Sequence, residues 1–146
     1  MDAALQQKIT EYKNAHISSP QYVLEVGSLD LTGGNRHLFP EADNFCGIDE
    51  KRGPGVDMCF NLEEVDKLFD FNPDVIICLD IFKTTSNIRK IIKSVRETLM
   101  PGGYLLIFLP QVGEGSYADA FFNGYEVFDL VVVNRTICGI ARKPLK

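Results

Sequence analysis

The chain lacks the spacings that hold metals or staple small secreted domains. Its four cysteines stand singly at 46, 59, 78 and 138, each in an apolar stretch, with no CxxC and no Cys/His ligand pattern. That argues against a zinc site and against a disulfide framework, and for buried free thiols in a reducing compartment. No metal is expected. No apolar run approaches the roughly 20 residues of a membrane span. Segment 1–9 has no basic start followed by an apolar core, so no secretory leader is read there. Base is not in excess either: 15 Lys and Arg stand against 20 Asp and Glu, a net charge of −5. Non-specific nucleic-acid binding rests on cations that neutralise phosphates, so nucleic acid is not an expected partner, and neither is a membrane. The basic cluster Lys83, Arg89, Lys90, Lys93 and Arg96 reads as the solvated face of one helix. These absences together predict a cytoplasmic protein.

What is present is enough for an ordinary core. At 146 residues and 45% hydrophobic content, the chain is expected to form one domain, 1–146, with an N-terminal helix over 1–18 and a core over 21–142. A domain of this size buries roughly 68–70% of the surface its unfolded chain exposes. Leu5, Ile9 and Tyr12 recur at i, i+4, i+7 and predict the amphipathic helix. Strand-length apolar runs follow at 22–27, 44–49, 55–60 and 74–79, the last apolar on both faces as a central parallel strand should be. A short helix is expected at 62–69. Ile88, Ile91, Ile92, Val95 and Leu99 mark the clearest helix, with Thr85, Ser86 or Asn87 as its cap. Pro101, Gly102 and Gly103 end it and turn into a strand at 104–109.

One helical turn is expected at 117–122, within a loop-like stretch that runs from 110 to 123. Residues 125–133 and 136–141, joined by Asn134 and Arg135, are close enough to form only an antiparallel hairpin. The alternation of strand and helix predicts an α/β, Rossmann-like doubly wound sheet of seven strands, mainly parallel, with the C-terminal hairpin adding one reversed strand.

In such a sheet ligands sit beyond the C-terminal strand ends, beside the first strand. There the sequence reads Glu25-Val26-Gly27-Ser28-Leu29-Asp30, then Leu31-Thr32-Gly33-Gly34. The glycines permit a tight turn and close approach of backbone to a ligand. Asp49 ends the second strand 22 residues after Gly27, a position suited to accept from both ribose hydroxyls of a nucleoside. A dinucleotide fingerprint needs G-x-G-x-x-G, and this loop has a different spacing, with Asp30 placed to repel phosphate. Glu25 adds a second negative charge. An acidic loop suits a cationic, phosphate-free ligand that carries an ammonium group, and S-adenosylmethionine is one. Taken singly, Asp49 also reads as a turn residue, Glu25 as a salt-bridged strand residue and Asp80 as the cap of the next helix. His16 and His37 read as surface or satisfied histidines; Tyr117, Phe121 and Phe122 as core or lid packing.

Four segments in order, V-L-E-V-G-S-L-D-L-T-G-G, C-G-I-D-E, I-I-C-L-D-I-F and M-P-G-G-Y-L-L-I, carry a resemblance over residues 22–109. In them the sequence resembles the class I S-adenosylmethionine-dependent methyltransferases, as a small, minimal member. The resemblance implies roles. Glu25 and the Gly27–Ser28 backbone hold the methionine portion with its ammonium, Asp30 lies in the same loop, and Gly33 lets that loop pass close to the cofactor. Asp49 binds the ribose and Glu50 the adenine, with Asn61 and Leu62 beside it. Asp80 and Ile81 lie near the transfer centre, Asp80 as base or acceptor-orienting group.

Lys83, Tyr104, Gln111, Glu114 and Tyr117 are candidates for the acceptor side. The D/N-P-P-Y/F motif of exocyclic-amine methylation is absent, and Phe82-Lys83 stands where small-molecule methyltransferases commonly have E-H. The expected function is transfer of a methyl group to an unidentified acceptor, with S-adenosylhomocysteine as product. The alternatives are an inactive S-adenosylmethionine-binding module or partner subunit, and an NAD-binding Rossmann domain. Seven strands leave only the N-terminal helix and the loop 110–123 to build an acceptor site, so a homodimer or a partner subunit is expected to complete it.

Overall fold

A computed structural model describes residues 3–30, 34–68, 72–79, 81, 87–111 and 117–146. Seven strands form one sheet: β1 (Tyr22–Val26), β2 (Asn44–Asp49), β3 (Met58–Cys59), β4 (Val75–Cys78), β5 (Tyr104–Pro110), β6 (Glu126–Val133) and β7 (Thr136–Arg142). Their order is β3-β2-β1-β4-β5-β7-β6. All are parallel except β7, which runs antiparallel to both β5 and β6. The expected reversed strand is therefore present, second from the edge rather than on it. Asn134 and Arg135 take φ of 49° and 60°, the left-handed pair that a two-residue hairpin turn requires.

Each face of the sheet has its own apolar layer. On one side Leu24, Val26, Ile48, Ile76, Cys78, Leu105 and Ile107 pack under helices α2 (Ile88–Thr98) and α3 (Tyr117–Phe122). On the other, Val23, Val75, Ile77, Leu106 and Phe108 meet α1 (Ala3–His16) through Leu5, Ile9 and Tyr12. The alternation along β4 shows why its four residues are all buried: odd and even positions serve different layers.

The strongest helix is closed at both ends. Asn87 Oδ1 accepts from the N–H of Arg89 at 3.0 Å and of Lys90 at 3.4 Å, so Asn87 caps the helix; Thr85 and Ser86, the other candidates, lie outside the described residues. At the other end Lys143 Nζ donates to the carbonyls of Arg96 and Leu99, at 2.5 and 2.6 Å. Arg89, Lys90 and Lys93 lie exposed along its outer face, while Arg96 turns inward to the carbonyls of Phe121 and Asn123. Phe121 and Phe122 are core residues.

The departures from expectation fall in the β1–β3 half. Of residues 55–60 only Met58 and Cys59 pair as strand. Gly55 takes φ +85° to pack on the Ser28 carbonyl, and the stretch runs beside β2 only from Asp57, whose N–H donates to Gly47 O at 2.8 Å while its carboxylate accepts from Gly47 N at 2.7 Å. The helix expected at 62–69 is a 3₁₀ segment, Leu62–Lys67, kinked at Glu64, and residue 69 lies outside the described residues. A further 3₁₀ turn, Arg36–Leu38, gave no periodic signal. The thiols are free but not all buried: Cys78 and Cys138 are, Cys46 is partly so, and Cys59 is exposed because β3 is a two-residue edge strand. Among the described residues no helix is long and apolar enough to cross a membrane.

Candidate functional site

The chain reverses direction at the C-terminal ends of β1 and β2, where the parallel register sets Val26 beside Ile48. Gly27 takes φ +80°, a conformation that strains any residue with a Cβ. Its N–H and that of Ser28 both donate to the Ile48 carbonyl, at 2.9 and 3.0 Å. The resemblance assigns the methionine portion to this backbone, but these two N–H groups are engaged within the protein. With both of these donors folded inward, neither is available to a phosphate.

Asp49 ties the two strand ends together. One carboxylate oxygen accepts from Leu29 N at 3.0 Å and the other from Lys51 N at 3.1 Å. An ionised carboxylate has about four acceptor directions, so each oxygen retains one for a hydroxyl. The half-buried Glu50 follows directly; its carbonyl accepts from the Cys59 thiol. Asp30, also half-buried, donates its N–H to Pro54 O at 3.0 Å and so joins the loop after β1 to the loop after β2.

Glu25 lies one residue deeper in β1 and points to the α1 side of the sheet. It is 1% exposed, and its Oε2 accepts from Asn35 Nδ2 at 2.9 Å. Asn35, also 1% exposed, is joined in turn by Gln6 of α1, whose Nε2 donates to Gly34 O at 3.1 Å. Burial pushes the Glu25 carboxyl up to about 7; Asn35 opposes that shift, Asp30 adds to it and Arg36 opposes it. Glu25, Asn35, Arg36, Phe45 and Asp57 line a cleft of about 450 Å³ on this face. Arg36 spans it, donating to Phe45 O at 2.8 Å and pairing with Asp57.

The other expected residues are spread around this junction. Asn61 is exposed and caps the 3₁₀ segment, its Oδ1 accepting from Glu63 N at 2.9 Å, so the acceptor expected to face adenine already serves the backbone. Leu62 and Ile81 are each 1% exposed, their side chains in the core on the α2 side. Ser28 is fully buried, and its hydroxyl has no hydrogen-bond partner among the described residues. Gly33, Asp80, Lys83 and Glu114 lie outside the described residues.

Of the acceptor-side candidates, Gln111 directly follows β5 and donates its N–H to Arg135 O at 2.8 Å, and Tyr117 opens α3. Tyr104 is a correction. It is the first residue of β5, opposite Arg142 and at the N-terminal end of the sheet, so it is at the wrong end to face a ligand beyond the C-terminal strand ends. Sequence reasoning missed Asn35, Arg36 and Asp57, since their partners are set by the crossing of two loops that show no periodicity. The nearest signal was Gly55-Val56-Asp57, read only as a weak strand.

No protein-family model matches the sequence, and no curated protein matches it. Solved structures do. N-methyltransferase NodS from Bradyrhizobium japonicum WM9, in complex with S-adenosyl-L-homocysteine, matches over 97% of this chain and 87% of its own, with TM-score 0.73 and 13% identity. Magnesium protoporphyrin IX methyltransferase from Synechocystis PCC 6803, with bound SAM, matches over 96% and 78%, with TM-score 0.70 and 14% identity. An rRNA methylase from Streptococcus thermophilus matches over 94% and 95%, with TM-score 0.68 and 9% identity. At these identities the likeness is one of fold.

Proposed function

We propose that this chain, built on the class I methyltransferase fold, binds S-adenosylmethionine at the C-terminal ends of β1 and β2 and transfers its methyl group to an acceptor. The observation that carries the reading is the junction of Gly27 and Asp49. There the glycine turn holds its N–H donors inward on Ile48 O, and a carboxylate with acceptor directions to spare closes the neighbouring strand. That chemistry favours a nucleoside with a cationic tail. It disfavours a pyrophosphate, which needs outward N–H groups, and so disfavours NAD.

In this reading Asp49 accepts from the ribose hydroxyls, and Glu50 borders the adenine, with Asn61 and the backbone at Leu62 beside it. Glu25 and Asp30 supply the negative charge that an ammonium requires, and Gly33 lets the loop approach closely. Asp80 and Ile81, which follow β4, stand nearest the acceptor, and Asp80 orients it. The cofactor supplies a methyl group activated on a sulfonium. The chain's own work is alignment and exclusion of water, and a base is needed only where the acceptor must lose a proton.

Isothermal titration with S-adenosylmethionine, S-adenosylhomocysteine and NAD, followed by a tritium-methyl transfer screen over acceptor classes, tests this. Binding of the first two with label transfer supports the whole reading. Binding without transfer to any class leaves the inactive module; binding of NAD alone overturns it.

A further inference from the structure

The far edge of the sheet differs from the rest of the molecule. β6 is eight residues long and carries Val127, Phe128, Leu130 and Val132 at 45, 38, 44 and 54% exposure. Edge strands of this length are usually blunted by charge, proline or a bulge. Here the bulge sits at the start, between Val127 and Asp129, and Phe128 folds back to stack on His16 with ring centroids 4.6 Å apart. From Asp129 to Val133 the strand pairs regularly with β7. The only charge in that stretch is withdrawn onto α1: Asp129 accepts from the Tyr12 hydroxyl at 2.9 Å and lies 3.5 Å from Lys8 Nζ.

Leu130 and Val132 fall on the α3 face, where Leu130 and Phe122 close over Gly139. Helix α3 has only six residues, and both side chains remain exposed. The two ends of this apolar stretch are oppositely charged. Glu126 opens the strand and Arg135 closes the turn after it; both are exposed, and neither makes an ion pair among the described residues.

A strand that is negative at its start, apolar in its middle and positive just past its end complements a reversed copy of itself. Parallel pairing would set like charge beside like; antiparallel pairing sets Glu126 of each copy near Arg135 of the other and joins both apolar stretches in one seam. We propose that β6 is the surface through which two copies of this chain pair, antiparallel about a two-fold axis near the middle of the strand, so that their sheets continue into one another. The pairing also sends the C-terminal strand ends of the two sheets in opposite directions. A second copy held in this way leaves the acceptor side open instead of roofing it.

Sedimentation velocity on the full chain tests the proposal. The wild type is expected to be a dimer, and Leu130→Lys with Val132→Lys a monomer that keeps the native circular-dichroism spectrum, since both side chains are exposed, with a melt that no longer shifts with protein concentration. Glu126→Arg and Arg135→Glu should each weaken the dimer roughly tenfold, because each acts at two symmetry-related pairs. The double swap should restore it, which neither a heterologous partner nor a different face predicts. A wild type that stays monomeric up to about 0.1 mM, or a dimer indifferent to the swap, overturns the proposal.

Discussion

The two halves of the sheet cross from strand to strand in different ways. Between β4 and β5 the chain uses a full amphipathic helix, α2, capped by Asn87 and closed by Lys143, over strands with no exposed residue in β4. Between β2 and β3 it has only residues 50–57, short of the dozen or more that a parallel crossover normally takes. That crossover works because Gly47 has no Cβ to collide with the Gly55 carbonyl, and because Asp57 and Arg36 clamp the loop to β2. The first crossover is held by apolar burial and the second by polar contacts and by glycines at positions where a Cβ would not fit. Loops and polar contacts of the second kind are where binding residues usually lie, positioned by packed elements of the first.

The comparison breaks if substitutions in the two halves have the same effect. Ile76→Ala, at a fully buried position in β4, should destabilise by about 2–5 kcal/mol, read by urea denaturation, with S-adenosylmethionine affinity unchanged in the folded fraction. Asp49→Ala should do the reverse. If Asp49 holds the ribose as proposed, the variant weakens S-adenosylmethionine roughly 30-fold or more, while the loss of its bonds to Leu29 and Lys51 costs about 1 kcal/mol of stability.

Glu25→Gln separates charge from shape. The Glu25 carboxyl is raised from its ordinary 4.5 to about 7, so the folded state favours the neutral acid. The stability this gives is complete below about 4.5 and is lost as pH climbs to about 7. The variant, neutral throughout, should therefore match the wild type at pH 4 and exceed it by about 3 kcal/mol at pH 8, measured by thermal melts across that range. It should bind S-adenosylmethionine more weakly at pH 8 despite being more stable. The smallest effect is expected at Asn87→Ala, about 1 kcal/mol of stability, with binding untouched.

The same division decides what the sequence made legible. The four-residue burial of β4, the 3.6-residue stripe of α2 and the Asn134-Arg135 hairpin turn are written in local pattern, so architecture could be read from them. The positions of Gly27 and Asp49 at the ends of β1 and β2 were legible because each directly follows or closes an apolar run of strand length. The partners of Glu25 were not. Asn35 reaches it from a loop and Gln6 reaches that loop from α1, so the chain of contacts exists only once three elements have packed. Tyr104 was misplaced for a different reason: it opens the strand 104–109, and in a parallel sheet the first residue of a strand lies at the end opposite the ligand side.

The most direct test is a crystal structure with S-adenosylhomocysteine bound. The account predicts its ribose hydroxyls on the Asp49 carboxylate and its ammonium at the Glu25–Ser28 turn, with Gly27 and Ser28 N–H still on Ile48 O. A ligand whose ribose lies away from Asp49, leaving that carboxylate bonded only to Leu29 and Lys51, would contradict it.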